Sequence, residues 1–362
     1  MERFTTGISP VMLDDLTSGF NISTNITMNK VVNEMSGFTE DEVKGIINKI
    51  GIDKDNKINL DQDRKDKLFI ELRKNYNGYL FNEDSRERLY NPDMILHFFN
   101  QYLMTGDYPK QLIDDNVSTD YGRINRLVAN EANREVLEDI IIEEGIVADI
   151  ISRFSFDMMY DEDYFVSLLY YMGLLTIGEM RYGKTRLEIP NYAIKVIFWD
   201  YIEKKLRREY NVPYNVEELA KAIWEMGFDG EITGFLDYMS ENVLKKLSNR
   251  DLINFDEKYL KVILFAYLVT SNLYRPVSEG EVENGYIDIY LERDFRMPEV
   301  EYEWIIELKY LKKADKGNLN QVREEGLKQL RKYASSHKFE GKENMKQALI
   351  VFVGKAEYFV FE

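Results

Sequence analysis

Two apolar, strand-like runs near the C-terminal end carry charge where an ordinary core strand would carry none. In GYIDIYL, Asp288 stands between Ile287 and Ile289; in WIIELKYL, Glu307 and Lys309 flank Leu308. A carboxylate inside such a run is costly unless it has a task or a partner. Side chains two apart on a strand share a face, so Glu307 and Lys309 point together while Leu308 points away. Asp288, on a neighbouring strand, can converge on them. Two carboxylates and one ammonium suit phosphodiester hydrolysis. The carboxylates of Asp288 and Glu307 can hold Mg²⁺ or Mn²⁺ through oxygen and leave water positions open. A metal held in this way polarises the phosphoryl oxygen and lowers the pKa of its bound water. Lys309 can position or deprotonate the attacking water, or stabilise charge that develops in the transition state. On the pattern alone, an ion pair at a sheet end is the simpler reading, and the surrounding elements have to decide.

Those elements come in a definite order. FDEKYLKVILFAYLVT at 255–270 reads as a strongly apolar helix. Strand-like runs follow at 285–293 and 301–311, then a helix at 319–336 and strands at 347–353 and 356–361. Helix, strands, helix, strand is the pattern of a mixed sheet with a helix on each side.

With that context the residues resemble the PD-(D/E)XK nucleases of the RecB-like kind, over about residues 253–362. The resemblance is carried by Glu257 in FDEKY, Asp288 in GYIDIYL, Glu307 and Lys309 in IIELKY, and Gln329 with Tyr333 in KQLRKY. It implies a restriction-endonuclease-like fold, with Asp288 and Glu307 as principal metal ligands, Glu257 helping to hold the metal, and Lys309 catalytic. It also implies that Gln329 and Tyr333 contact substrate or brace the site. They lie four apart and so share a helix face. An ordinary amphipathic helix would also explain that pair, and Glu257 also suits a helix start by complementing the dipole.

The resemblance extends upstream. FTTGISPVMLDDLTSGFNI, GFTEDEV, NYNGYLF and YNPDMI are similar to the C-terminal part of an AAA-ATPase-like domain that precedes a nuclease domain in one bacterial and archaeal family. YYMGLLTI followed by IPNYAI is similar to that family's connecting region. The family's phosphate-binding loop would lie before the TGISP-like strand, so the expectation is an ATPase-like remnant without that loop, in a shortened or degenerate member, and no ATPase activity.

Gly178-Glu-Met-Arg-Tyr-Gly183-Lys184-Thr185 does match GxxxxGK[ST]. The mechanism needs a strand before the loop and a helix after it, whose amides cradle phosphate. Here RLEIPN follows, strand-like and stopped by Pro190, so a β-hairpin turn is expected instead. Residues 164–190, helix then hairpin, could form a winged-helix-like unit with Arg181, Lys184 and Arg186 on the wing. Such units bind DNA or serve as plain connectors.

Composition narrows the rest. The 362 residues allow two or three domains. With 44% hydrophobic and 13% aromatic residues, a sizeable core can be buried. The chain has no cysteine, which excludes disulfides and thiolate metal sites, and its two histidines, His97 and His337, are far apart. Any metal must therefore be held mainly by oxygen. No 18-residue apolar stretch and no secretory leader are present, which makes a cytoplasmic protein the default. The net charge of −17 opposes a nucleic-acid partner, but residues 305–346 carry 11 Lys/Arg against 6 Asp/Glu. A local patch of this kind governs binding more than the global charge does.

The expectation is thus a multidomain α/β protein with helical N-terminal and middle regions and a C-terminal mixed sheet flanked by helices. Residues 1–105 would be the ATPase-like remnant, 106–212 a helical connector, and 213–362 the nuclease-like domain. It would cleave nucleic acid, DNA first, with Mg²⁺ or Mn²⁺. The alternative is an inactive nuclease fold kept for binding or regulation.

Overall fold

Helix signals in the first part of the chain are local and are obeyed. The computed structural model describes residues 26, 28–51, 58–114, 127–128, 130–151, 161–181, 183–213, 215–247, 255–282, 285–355 and 357–362. The FTTGISPVML segment lies outside them. Two compact units divide the chain, Met1–Phe198 and Trp199–Glu362.

In the first unit, helix α1 (Glu40–Ile50) starts at a complete capping box: Thr39 accepts from the Glu42 amide and Glu42 accepts from the Thr39 amide. Helices α2 (Gln62–Tyr76) and α3 (Pro92–Thr105) follow, α3 with Pro92 in its first turn and Asn91 as N-cap. Between them the short strands β1 (Asn77–Tyr79) and β2 (Leu89–Tyr90) pair. Gly78 sits at φ +140, and the Pro190 carbonyl oxygen lies 1.9 Å from where a β-carbon would stand, a place only glycine fits.

Further along this unit come α4 (Glu131–Glu143), β3 (Gly145–Ala148), α5 (Glu162–Tyr171), β4 (Thr176–Arg181) and β5 (Lys184–Glu188). The three strands form an antiparallel sheet in the order β3-β5-β4. This is the helix-and-hairpin arrangement expected for residues 164–190, joined by a strand, β3, inside a stretch expected to be helical. The GxxxxGK[ST] match falls on the β4–β5 hairpin, with Gly183 at φ +80 in its turn and a strand, not a helix, after it. No helix N-terminus is there to cradle phosphate, so the nucleotide-loop reading fails. The wing does not favour DNA either. Lys184 is paired with Asp149 at 3.1 Å, Arg186 donates to the Glu143 carbonyl, and α5 opens with Asp161, Glu162 and Asp163.

Helix α6 (Tyr192–Tyr210) runs through the division of the chain. The second unit continues with α7 (Val216–Phe228) and α8 (Thr233–Tyr238), which a short π turn and a 3₁₀ turn extend to Lys246. Then come α9 (Glu257–Leu268), β6 (Tyr274–Val282), β7 (Gly285–Arg293), β8 (Glu303–Leu311), α10 (Leu319–Ala334), β9 (Met345–Val353) and β10 (Glu357–Phe361).

These strands make one five-stranded mixed sheet in the order β10-β9-β8-β7-β6. Only β8 and β9 are parallel, and the chain between them is α10, the connection a parallel pair requires. Leu330 of α10 packs with Ile305, Leu349, Val351 and Val353 of the sheet. Val262–Leu268 of α9 are buried without a break, as in a helix covered all round. Trp304 is fully buried and donates its indole N–H to the Met226 carbonyl, while the Gly227 carbonyl accepts from Glu301 and Tyr302. These bonds tie the end of α7 to the start of β8. Among the described residues no helix is long and apolar enough to cross a membrane.

Candidate active site

The site begins where two strands part. The β7–β8 ladder pairs Leu291 with Trp304, Tyr290 with Ile305 and Ile289 with Ile306, and ends there. One step beyond, the Leu308 amide donates to Asp288 Oδ2 at 3.0 Å in place of a ladder bond. Ile287 and Ile289 on either side of Asp288 are buried and anchor the strand, so this hydrogen bond and one from Lys309 Nζ set the direction of the carboxylate.

The β8–β9 ladder, by contrast, is unbroken from Glu303 to Leu311, so Glu307 and Lys309 are held on a strand paired along its whole β9 side. Lys309 Nζ lies 2.7 Å from Glu307 Oε1, 3.2 Å from Asp288 Oδ2 and 3.6 Å from Glu257 Oε1. Glu257 arrives from the first turn of α9. Asp256 caps that helix by accepting from the Tyr259 amide. Phe255 stacks edge-on with Tyr259 and with Tyr310 of β8, which pins the helix start beside Lys309. The structure thus brings together Glu257, Asp288, Glu307 and Lys309, residues up to 52 apart in sequence.

Charge in this cluster is unbalanced: three carboxylates face one ammonium. Burial pushes the Glu307 carboxyl up from its ordinary 4.5 to about 7, and the Asp288 charge adds to this while Lys309 opposes it. Burial also raises the Glu257 carboxyl, with Lys309 and, one turn along α9, the buried Lys261 pulling it down. Burial by itself would lower the Lys309 pKa, but attraction to Asp288, Glu307 and Glu257 overrides it and leaves the pKa above the usual lysine value. As the cluster stands, Lys309 is a firmly charged ammonium. It can donate hydrogen bonds and stabilise negative charge, but it has no free base to accept a proton.

One atom is left over. Glu307 Oε2 is buried and, among the described residues, has no hydrogen-bond partner. A buried carboxylate oxygen without a partner is expensive, and a water, an ion or a catalytic role is what such an atom calls for. Excess negative charge and a donor set made only of oxygen suit a hard divalent cation. Among the described residues, no three Asp, Glu or His side chains are arranged to hold an ion as they stand. The Lys309 ammonium lies among the three carboxylates instead.

Tyr333 of α10 is half-buried beside the cluster. Burial raises its hydroxyl pKa, and the charges of Glu307 and Asp288 raise it further. Gln329, one turn earlier, is exposed, and among the described residues it has no hydrogen bond to the cluster. The Leu308 amide, the buried Lys261 and the Phe255–Tyr310 stack belong to the site but were not singled out from sequence. A backbone group leaves no mark in a sequence, and Lys261 and Phe255 look like ordinary members of an amphipathic helix start.

Against known proteins, residues 255–362 match the family model of the PD-(D/E)XK nuclease superfamily. No curated protein and no solved structure matches the chain. The match runs from the residue before the α9 cap to the end of β10 and takes in the whole five-stranded sheet. Residues 255–362 are a PD-(D/E)XK nuclease superfamily domain.

Proposed function

We propose that this domain hydrolyses phosphodiester bonds in nucleic acid, with DNA as the first expectation, using Mg²⁺ or Mn²⁺. The observation that carries the reading is the buried Glu307 oxygen without a partner, set beside Asp288 in an over-negative cluster. Asp288 and Glu307 would hold the ion, and Glu257 would reach it from α9. When bound, the ion would activate water and polarise the phosphoryl group. The chain itself supplies the rest. The Leu308 amide keeps Asp288 aimed inward. Lys309, already charged, orients the attacking water and neutralises charge building on the phosphoryl oxygens. Gln329 and Tyr333 contact the substrate or brace the site from α10.

By motif resemblance alone, we place residues 1–105 in an ATPase-like remnant and 106–212 in a connector, and group 213–362 as the nuclease-like domain. We place the protein in the cytoplasm, where such a substrate lies. A second reading, an inactive nuclease fold kept for binding, draws on the closed ion-pair cluster around Lys309 and the net charge of −17.

Incubation of the chain with end-labelled single-stranded and duplex DNA separates the two. The nuclease reading expects cleavage in Mg²⁺ or Mn²⁺, none in chelator, and a fall of at least about 10²-fold in Asp288→Asn. Cleavage by Asp288→Asn equal to that of the wild type would remove Asp288 from the site. No cleavage of either DNA in either metal would favour the binding module.

A further inference from the structure

Helix α10 comes onto the sheet closer than side chains on both surfaces would allow. At Gly326 a β-carbon would stand 2.6 Å from Leu349 Cδ1 and 3.0 Å from its Cδ2. Leu349 is the ladder partner of Glu307. Leu330, one turn further along α10, is buried in the same core as Leu349. A helix seated this closely on β9 cannot lift without breaking core packing.

Further along, the same helix meets β7. Tyr333 Cε1 and its hydroxyl lie 3.0 and 3.2 Å from where a β-carbon on Gly285 would stand. Carbon atoms prefer about 3.5–4.0 Å, so any side chain at 285 would press on the ring. Gly285 opens β7 ahead of Asp288, at φ +142, where side chains are rarely found. The ring is placed by packing, since among the described residues the Tyr333 hydroxyl makes no hydrogen bond. That hydroxyl is near enough to the cluster to feel the charges of Glu307 and Asp288.

We infer that Gly285 is a positioning residue: its missing side chain lets the Tyr333 ring settle on β7, which holds the Tyr333 hydroxyl beside the cluster to meet a phosphate of the substrate. A phenol keeps its proton at neutral pH and can donate it to a phosphate oxygen. The helix supplies the ring, Gly326 and Leu330 fix the height of the helix, and Gly285 clears the place where the ring rests. The inference rests on the nuclease reading and deepens it. A side chain at 285 could act in a second way, by straining the backbone just before Asp288, and the two routes differ in what they disturb.

The test is a double-mutant cycle of Gly285→Ala and Tyr333→Ala, read by cleavage of end-labelled DNA and by the rise in melting temperature that Mn²⁺ confers. Gly285→Ala is expected to lower kcat/KM about tenfold, the kind of loss that a slightly misplaced group brings. In the Tyr333→Ala background, itself slower than the wild type, Gly285→Ala should cost nothing further. The Mn²⁺ response of Gly285→Ala should equal that of the wild type, because Asp288 and Glu307 stay in place. An equal loss with and without the Tyr333 ring, or a lost Mn²⁺ response, would mean that Gly285 acts on Asp288 through the backbone and would overturn this inference alone. Undiminished cleavage by Gly285→Ala or by Tyr333→Ala would overturn it as well. If Gly285→Ala alone does not fold, the double variant decides: recovery of the fold on removing the ring supports the contact, and failure to recover overturns it. A wild type that cleaves no DNA would remove the nuclease reading and this inference with it.

Discussion

Replacing Lys309 by Met is expected to lower cleavage by about 10²–10³-fold, the usual cost of removing one donor aimed at transition-state charge. The same change should strengthen divalent-metal binding. Lys309 Nζ sits 2.7 Å from Glu307 Oε1 and 3.2 Å from Asp288 Oδ2, so in the metal-free protein its positive charge opposes a cation at the same carboxylates. Without it the carboxylates repel one another unopposed, and Mn²⁺ should raise the melting temperature of Lys309→Met more than that of the wild type. Loss of cleavage with gain of metal response is a combination that a structural ion pair does not give. If Lys309→Met cleaved at the wild-type rate, Lys309 would be only a counter-ion.

The second large effect concerns Glu307 and pH. Its folded pKa of about 7 lies above the 4.5 of an ordinary glutamate. A carboxyl shifted upward contributes its stability fully below about 4.5 and loses it as pH climbs through about 7. In the absence of metal the wild type should therefore lose stability between these values, because ionising Glu307 puts a second charge beside Asp288 in a buried place. Glu307→Gln cannot ionise and should flatten that part of the profile. Its advantage over the wild type should grow with pH to on the order of 3 kcal/mol, since a tenfold change in proton affinity is worth about 1.4 kcal/mol and the rise is from 4.5 to about 7. The variant should also lose both cleavage and the stabilisation that Mn²⁺ confers. Chemical denaturation across pH, with chelator present, measures the first part. Parallel pH profiles for the two proteins would mean that Glu307 is already ionised and satisfied in the fold.

Much of this domain could be read in the sequence because its signals are local. Asp288, Glu307 and Lys309 stand out as charges in apolar strands, and the order of helix, strands, helix and strand fixed the mixed sheet. Strand β6 was not legible. YRPVSEGEV contains Pro276, Gly280 and two glutamates, which argue against a strand, yet β6 is at the sheet's edge, where proline and charge are tolerated. Strand β3, only four residues long, was hidden between helical stretches. The parting of β7 from β8 after Ile289 was equally invisible, because ladder register depends on both strands at once. Lys309 as a committed ammonium likewise depends on three carboxylates meeting in space, and sequence spacing alone left open whether it could act as a base.

In the nuclease reading, Asp288 and Glu307 together hold a divalent ion. Diffraction from crystals soaked in Mn²⁺, read at a wavelength where manganese scatters anomalously, tests it most directly. The expected result is an ion bound by Asp288 and by the now partnerless Glu307 Oε2, with the Lys309 ammonium moved off the two carboxylates. Crystals that bind no Mn²⁺ there at saturating concentration, with Lys309 still bonded to both, would contradict it.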